Sequence, residues 1–324
     1  STIFLYDLSL YPPMKYALIL SLLLMSLFYR DSGITQVTDN EYIDTHPVLL
    51  EDSRNRLWIM WTSQRDHNWD VYYKIREDGE WGDEERLTTD PYSDFQPCLL
   101  EDPQGIIWVF WSSNREGIAH IFCKRFDGET WSDEEQLTFT LWNKDPAAVI
   151  DKNGHILLTW IKEYSIWYKI FDGTWGDEYQ ISYQWADDWD PELGLDASGR
   201  IWLTWTAYGM IPYEIYTGEW TDKPPVLSDR SVRSYGPAMA IRGDAVIVFW
   251  FVDDGLVYRQ FNGEWQPIEA FEIDQEDIEY PAICYGADDI LYLAWCGSDG
   301  VHAKTKEIYL IALKERGVTK IDKR

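Results

Sequence analysis

PVLLEDSRNRLWIMW at residues 47–61 and PCLLEDPQGIIWVFW at residues 97–111 are two copies of one pattern in this 324-residue chain. In each copy a proline begins an apolar run, a polar segment with Asn or Gly interrupts it, and a second apolar run ends in a tryptophan. Short apolar runs separated by turn residues predict two strands joined by a hairpin. The pattern therefore predicts a repeated pair of antiparallel strands.

The proline and tryptophan recur six times along the chain. The prolines are about 47 residues apart on average, and a tryptophan follows each one after 13 or 14 residues. The six pairs are Pro47 and Trp61, Pro97 and Trp111, Pro146 and Trp160, Pro191 and Trp205, Pro237 and Trp250, and Pro281 and Trp295. A period of roughly 20–50 residues is typical of solenoids and propellers. We expect all six tryptophans to be buried between neighbouring repeats.

Further strands follow these pairs in most repeats. The third strands read VYYKI at 71–75, IFCKRF at 121–126, IWYKIF at 166–171 and LVYRQF at 256–261. An Asp-Gly or Asn-Gly turn and a tryptophan come next, and short segments such as RLT or QLT supply a fourth strand. Asp-Gly and Asn-Gly are strong hairpin signals. Four antiparallel strands in a repeat of this length are the composition of a propeller blade.

The two ends of the chain predict how the ring closes. The sixth repeat lacks its Gly-containing turn and fourth strand, but TQVT at 35–38 matches the QLT segments, and Thr38 precedes Pro47 by nine residues as Thr88 precedes Pro97. We therefore expect an all-β, six-bladed β-propeller of four-stranded antiparallel blades, with the N-terminal strand completing the last blade and removing an exposed edge. The predicted domain is residues 34–310, between an extension at 1–33 and a tail at 311–324.

Net charge and the spacing of the cysteines and histidines exclude some classes of partner and cofactor. The chain has 28 basic and 56 acidic residues, a net charge of −28, which repels nucleic acid and anionic lipid. The acids either keep an aromatic-rich surface in solution or bind a cationic ligand. The four cysteines and five histidines have no metal-ligand spacing, so we expect no cofactor. The loop WADDWD at 185–190 leaves a divalent cation such as calcium open, without the spacing of a calcium loop.

An apolar segment near the N-terminus predicts export. MKYALILSLLLMSLFY at 14–29 has a Lys before an apolar run of about 13 residues, which is short for a membrane span and typical of a secretory signal. No small-x-small cleavage site follows it. We expect an extracytoplasmic protein that contacts a membrane only through this segment, with an uncleaved anchor, or a buried strand or helix, as alternatives.

The first blades resemble a known family. WTSQRDHNWDVYYKIREDGEWGDEERLT at 61–88 and WSSNREGIAHIFCKRFDGETWSDEEQLT at 111–138 resemble exported propellers with BNR, or Asp-box, repeats in the sialidase superfamily. The resemblance spans about residues 35–306, although the family's box has a Ser and separates its Asp from its Gly. It implies three arginines that clamp a carboxylate, the first in an Arg-Ile-Pro motif. That motif is missing, and Arg242 is the only arginine on the predicted inner strands.

The predicted site lies on the loops before the repeat prolines, at one face of the propeller. Aromatic rings and carboxylates there suit a saccharide, which offers C–H faces and hydroxyls. Alternatively, the aspartates cap turns, the rings fill the channel, and Arg65 and Arg115 tie loops together. We expect a monomeric, non-catalytic module that binds a glycan or protein partner, with a diverged glycoside hydrolase of sialidase type as the alternative. The candidate ligand-binding residues are Trp142, Trp185, Trp189, Tyr235, Tyr280, Asp94, Asp145, Asp190, Arg65, Arg115, Arg230 and Arg233.

Overall fold

Each predicted repeat forms one antiparallel blade in the computed structural model. The structure describes residues 28–30, 33–115, 117–182, 187–220, 223–253, 255–273, 276–298 and 305–315. Six sheets share one plan, in which the first strand of a blade pairs with the second and the second with the third. The prediction of an all-β, six-bladed propeller is confirmed.

The strands follow the predicted order. At the N-terminus lie β1 (Phe28–Arg30) and β2 (Thr35–Gln36). The first blade has β3 (Ile43–Glu51), β4 (Leu57–Arg65), β5 (Asn68–Glu77), β6 (Glu80–Trp81) and β7 (Glu85–Arg86). The second has β8 (Asp94–Glu101), β9 (Ile107–Ser113), β10 (His120–Phe126) and β11 (Glu135–Gln136). The third has β12 (Asn143–Ile150), β13 (Ile156–Lys162), β14 (Ser165–Phe171) and β15 (Tyr179–Gln180).

The second half of the ring repeats this order with small variations. The fourth blade has β16 (Asp188–Leu195), β17 (Ile201–Ala207) and β18 (Tyr213–Tyr216), and a bridge between Pro212 and Val226 stands where a fourth strand would pair. The fifth has β19 (Ser234–Arg242), β20 (Ala245–Val252), β21 (Gly255–Phe261) and β22 (Glu269–Phe271). The sixth has β23 (Glu276–Tyr285), a 3₁₀ turn (Ala287–Asp289), β24 (Ile290–Ser298) and β25 (Glu307–Glu315).

The N-terminal strand completes the sixth blade, as predicted. β2 pairs with β25, with Thr35 opposite Leu310. Beyond β2, the Val37 N–H donates to the Ile308 carbonyl at 2.7 Å, and the Ile308 N–H donates to the Thr38 hydroxyl at 2.9 Å. β1 pairs with the far end of β25, which runs to Glu315 and thus past residue 310, the predicted end of the domain. The first and last strands therefore join within one blade and close the ring.

The six repeat tryptophans are buried between blades, as predicted, with side chains no more than 3% exposed. Trp160 illustrates the packing, because its cluster contains Trp108 and Phe110 of the preceding blade. Its indole N–H donates to the Asn143 side-chain oxygen at 2.8 Å. In the next blade the Trp205 indole N–H donates in the same way to the Asp188 carboxyl group. A bulky ring that buries its surface and satisfies its one donor fills the wedge between blades.

The predicted export segment lies outside the described residues except at its last two positions, Phe28 and Tyr29. Within the described ranges, no helix has the length and apolar character needed to cross a bilayer.

Candidate functional site at the channel mouth

The residue before each repeat proline leaves the regular strand ladder. In every blade the register between the first two strands shifts here, for example between Thr45 and Val48 in the first blade. The backbone φ at this position is positive in all six blades, between 50° and 59°. A bulge redirects the side chain, and a left-handed conformation of a non-glycine residue stores strain of the kind found at functional sites. These six residues form the pre-proline ring, His46, Gln96, Asp145, Asp190, Gly236 and Tyr280.

The pre-proline ring surrounds one end of the central channel. All six of its members line a cavity of about 80 Å³ at the channel mouth. A larger cavity of about 160 Å³ continues along the channel and is walled by prolines and apolar residues of the inner strands. Glu192 lines both cavities and is the only acid among the residues of the larger one. The channel beyond the mouth is thus apolar apart from the single carboxyl group of Glu192.

Three carboxyl groups meet at this mouth. Asp145 is only 7% exposed, and burial, followed by the charge of Asp190, raises its pKa to about 7. Burial also raises the pKa of Asp190, whose Oδ2 accepts a hydrogen bond from the Thr206 hydroxyl at 3.3 Å. Burial and the nearby Asp190 raise the pKa of Glu192 to about 8. Carboxyl groups that disfavour one another's charge in a cleft are typical of binding and catalytic sites.

His46 and Tyr280 form a flat surface on the opposite part of the ring. Their ring centroids are 3.7 Å apart, with an angle of 28° between the ring planes. Burial, with the charges of Lys144 and Lys306, lowers the pKa of His46 to about 3. The imidazole is therefore neutral at physiological pH and does not offset the charge of the acids.

Three aromatic side chains stand beside the acids and form the aromatic wall (Trp142, Tyr164 and Trp189). Trp142 and Trp189 stack with centroids 6.4 Å apart, and Tyr164 packs edge-on against both. Trp189 lies one residue before Asp190, and its indole N–H donates to the Asp187 carboxylate at 2.8 Å. Tyr164 is 50% exposed and the two indoles are half-buried, so the wall presents ring surface to solvent.

Lys144 connects the aromatic wall to the acids. Its Nζ lies 3.7 Å from Asp145 Oδ2 and 3.7 Å from the centroid of the Trp189 ring. An ammonium over an indole face is attracted by the ring quadrupole. The mouth therefore already contains one cation that contacts both a carboxylate and an aromatic face.

Five predicted site residues, Trp142, Trp189, Tyr280, Asp145 and Asp190, lie together at this mouth. Trp185 is outside the described residues. Tyr235 is 40% exposed and stacks on Phe251. Tyr235 and the two exposed arginines, Arg230 and Arg233, are not among the residues that line the mouth cavity.

Asp94 has a different place from the other two aspartates. It is fully buried and accepts hydrogen bonds from the Trp111 indole at 3.1 Å and from the Arg115 guanidinium at 3.2 Å. Asp94 lies three residues before its proline, at a paired strand position, whereas Asp145 and Asp190 lie directly before theirs, on the bulge. Asp94 therefore supports the blade and is not offered to a ligand at the mouth.

Arg65 and Arg115 bind within their own blades. Arg65 pairs with Glu84 at 2.6 Å and lies 3.9 Å above the Tyr72 ring. Arg115 pairs with Glu134 at 2.6 Å and with Asp94. This geometry fits the structural interpretation, in which these arginines tie strands and loops together. Among the residues that line the mouth cavity there is no arginine.

Sequence reasoning missed Tyr164 in the aromatic wall and four further residues of the mouth, His46, Gln96, Lys144 and Glu192. His46 and Gln96 could have been found by comparing the position before each repeat proline, because the bulge directs that residue toward the channel. Within the described ranges no group of three or more His, Cys, Asp or Glu side chains is arranged to hold a metal ion.

We expect Glu192→Gln to change the pH dependence of stability. The pKa of Glu192 is about 8 in the folded protein against the usual 4.5, so the folded state binds this proton more tightly than the unfolded chain. Its contribution to stability is present below pH 4.5 and is lost as the pH rises to about 8. The variant should therefore be more stable than wild type by a few kcal/mol, at most about 4, at pH 8 and nearly equal to it at pH 4.5. Urea titrations at both pH values measure this, and equal differences at the two would contradict it.

Comparison with known proteins gives the fold. No protein-family model and no curated protein sequence match this chain. A protein of unknown function from Dyadobacter fermentans has a similar structure, with a TM-score of 0.75 and 13% identity over 90% of this chain and 100% of that one. An α-L-arabinofuranosidase from Fusarium graminearum is similar with a TM-score of 0.70 and 10% identity, over 89% and 98% of the two chains. The NanB sialidase from Streptococcus pneumoniae follows with a TM-score of 0.65 and 11% identity, over 91% and 72%. At these identities the likeness establishes a six-bladed propeller of the kind found in sialidases and other glycosidases, and nothing about substrate.

Proposed function

We propose that the channel mouth binds a carbohydrate. The observation that carries this proposal is the aromatic wall standing directly beside the inward-facing carboxyl groups of Asp145 and Asp190. A sugar ring has an apolar C–H face that packs on an indole and hydroxyls that hydrogen-bond to carboxyl oxygens at its rim. Trp142 and Trp189 supply the stacking surface, and the two aspartates fix the orientation of the ring.

The shape of the site suits one terminal sugar unit. The mouth cavity of about 80 Å³ is small against a whole oligosaccharide, whereas the aromatic wall continues its surface outward into solvent. A chain end therefore enters the mouth while the following sugars lie along the wall. The protein is proposed to act outside the cytoplasm, where free and surface-bound glycans occur, in keeping with the apolar N-terminal segment.

A glycoside hydrolase is the second candidate, favoured by the unequal acids of the mouth. A glycosidase needs one protonated and one ionised carboxyl group about 5–9.5 Å apart. The pKa values of Asp145 and Glu192 are raised to about 7 and 8, so at neutral pH these groups retain protons beside Asp190. A sialidase-type mechanism has weaker support, because no arginine is among the residues that line the mouth cavity and could clamp a carboxylate.

A glycan array tests the proposal. We expect wild-type protein to bind a defined set of glycans, and Trp142→Ala and Trp189→Ala each to lose about 1–3 kcal/mol of binding free energy with little change in stability. The blades should stay folded, because Trp189 belongs to none of the buried clusters of the described residues and the half-buried Trp142 packs against the cluster that contains Trp205 without being part of its buried core. Tyr92→Ala is a matched control, since Tyr92 is 52% exposed and lies outside the mouth.

Four outcomes would argue against the proposal or refine it. If no glycan binds, or if binding survives both tryptophan changes, the mouth is not a carbohydrate site. Release of sugar from a bound glycan that Glu192→Gln or Asp190→Asn abolishes would replace the non-catalytic module with the hydrolase. Cleavage of a fluorogenic sialoside that depends on Arg230 or Arg233 would move the site away from the pre-proline ring.

A further inference from the structure

Three carboxyl groups and one ammonium group share the channel mouth. Asp145, Asp190 and Glu192 face the mouth cavity, and the Lys144 ammonium is the cation in contact with one of them. Lys306 is nearby but forms an ion pair with Glu279. His46 is neutral, because burial lowers its pKa to about 3. The pKa values of Asp145 and Glu192 are raised because burial and the neighbouring Asp190 disfavour their charged forms, so a cationic ligand would favour their ionisation, whereas a carboxylate ligand would be repelled by Asp190.

One carboxyl oxygen of Asp145, Oδ2, lacks a hydrogen-bond donor in the described part of the chain. The side chain is more than nine-tenths buried, yet Oδ2 receives no hydrogen bond from any described residue, and its nearest cation, Lys144 Nζ, remains 3.7 Å away. A buried carboxyl oxygen without a donor costs free energy, and such groups are rare in native proteins. Because Asp145 lines the mouth cavity, a ligand N–H entering that cavity would supply the missing hydrogen bond.

Lys144 shows what kind of group fits beside Asp145. Its ammonium lies between the carboxylate and the Trp189 face, at 3.7 Å from each. This is the environment that amine ligands require, an aromatic face and a carboxylate around one nitrogen. The Lys144 side chain is 22% exposed and has a flexible four-carbon stem, so its head group can turn to solvent when another cation arrives.

We propose that the carbohydrate ligand carries a free, positively charged amino group, and that Asp145, Asp190 and the Trp189 face bind this group in place of the Lys144 ammonium. The inference rests on the proposed carbohydrate function and specifies its ligand class: a glycan with a non-acetylated 2-amino-2-deoxy sugar at its end. The ammonium donates hydrogen bonds to Asp145 Oδ2, and the sugar ring packs along the aromatic wall. An acetylated amine lacks the charge and is bound less well.

Two trisaccharides that differ only in acetylation test this ligand class. Calorimetric titration compares the glucosamine trisaccharide with the N-acetylglucosamine trisaccharide at about 150 mM salt, which screens the general attraction of a cation to an acidic protein. We expect the free amine to bind about tenfold more tightly than its acetylated counterpart, and Asp145→Asn to remove that preference. Glu129→Gln is the control, since it removes one negative charge from the exposed hairpin after β10.

Removal of the Lys144 charge should change the affinity for a cationic ligand and for an anionic ligand in opposite directions. Lys144→Met should tighten binding of the amine about tenfold, because the competing ammonium is gone, while it would weaken binding of an anionic glycan. Lys152→Met makes the same charge change on the turn between β12 and β13, and it should leave the affinity unchanged. Thermal melting of each variant shows whether it is folded.

The outcomes separate this inference from the proposed function. Equal affinity for the two trisaccharides, or weaker amine binding by Lys144→Met, would overturn the amine proposal. Binding only of neutral or acidic glycans on the array, still lost in Trp189→Ala, would overturn it while leaving the carbohydrate function standing. Absence of any glycan binding would overturn both.

Discussion

Replacing Trp160 by alanine is expected to lower the free energy of unfolding by about 3–5 kcal/mol. The indole is fully buried in the cluster shared by the second and third blades. Its removal leaves a cavity that rigid strand ladders cannot collapse to fill, and it leaves the Asn143 side-chain oxygen without the indole donor. Equilibrium denaturation in urea, followed by tryptophan fluorescence, measures the loss.

The same change in the aromatic wall is the control for Trp160→Ala. Trp142→Ala removes a half-buried ring at the mouth and should cost far less stability. The other five repeat tryptophans are buried to the same degree as Trp160, so each should give a loss of similar size. A loss below about 1 kcal/mol at most of these positions would mean that the wedge between blades is not held by these rings.

Shortening the N-terminus is expected to have a sharp threshold. A chain that begins at Ile34 should fold to a stable propeller, whereas a chain that begins at Glu41 should be less stable by several kcal/mol, roughly 3–5. The second cut removes β2, the buried Val37 and Thr38, whose hydroxyl bonds both the Ile308 N–H and the Glu307 carboxylate. It leaves β25 as an unpaired edge and exposes the cluster that contains Val37.

Melting temperatures of the two truncated chains measure this threshold. Proteolysis adds a local readout, because loss of β2 should make the segment around β25 susceptible first. The chain beginning at Ile34 also loses β1, so it controls for the pairing of Phe28–Arg30 with the far end of β25. Equal melting temperatures would show that the ring does not depend on the strand at Thr35–Gln36.

The fold could be predicted because its determinants repeat locally. The distance from Pro97 to Trp111 spans two strands and one hairpin, and the geometry of a blade fixes that distance in each repeat. The match of TQVT to the fourth strands likewise depended on short sequence only. Periodic position, burial and turn chemistry all indicated the same structure, which is the condition for reliable inference from one sequence.

The site was harder to predict because it forms only where the blades converge. The sequence contains the Asp before Pro146 but does not show that a bulge directs it into the channel, so Asp94 was grouped with Asp145 although its side chain supports the blade. The pKa of Asp145 is raised first by burial at the mouth and then by the charge of Asp190, which belongs to the next blade. Lys144 was missed because the sequence does not show that its ammonium contacts both the Asp145 carboxyl group and the Trp189 ring.

The alternative to a binding module is a glycoside hydrolase, and its active site would lie at the pre-proline ring. Asp145, Asp190 and Glu192 lie within one mouth, and their pKa values are all raised by burial. A binding module and a hydrolase would share the aromatic wall and differ in whether these acids transfer protons. Activity against the glycans retained on the array separates the two.

A crystal structure of the protein with its best array ligand tests the central claim, that the channel mouth is a carbohydrate site, most directly. The account predicts a terminal sugar packed on Trp142 and Trp189, with a polar group of that sugar within hydrogen-bond distance of Asp145. A sugar bound on the rim of a blade or at the opposite end of the channel, with the pre-proline ring empty, would contradict it.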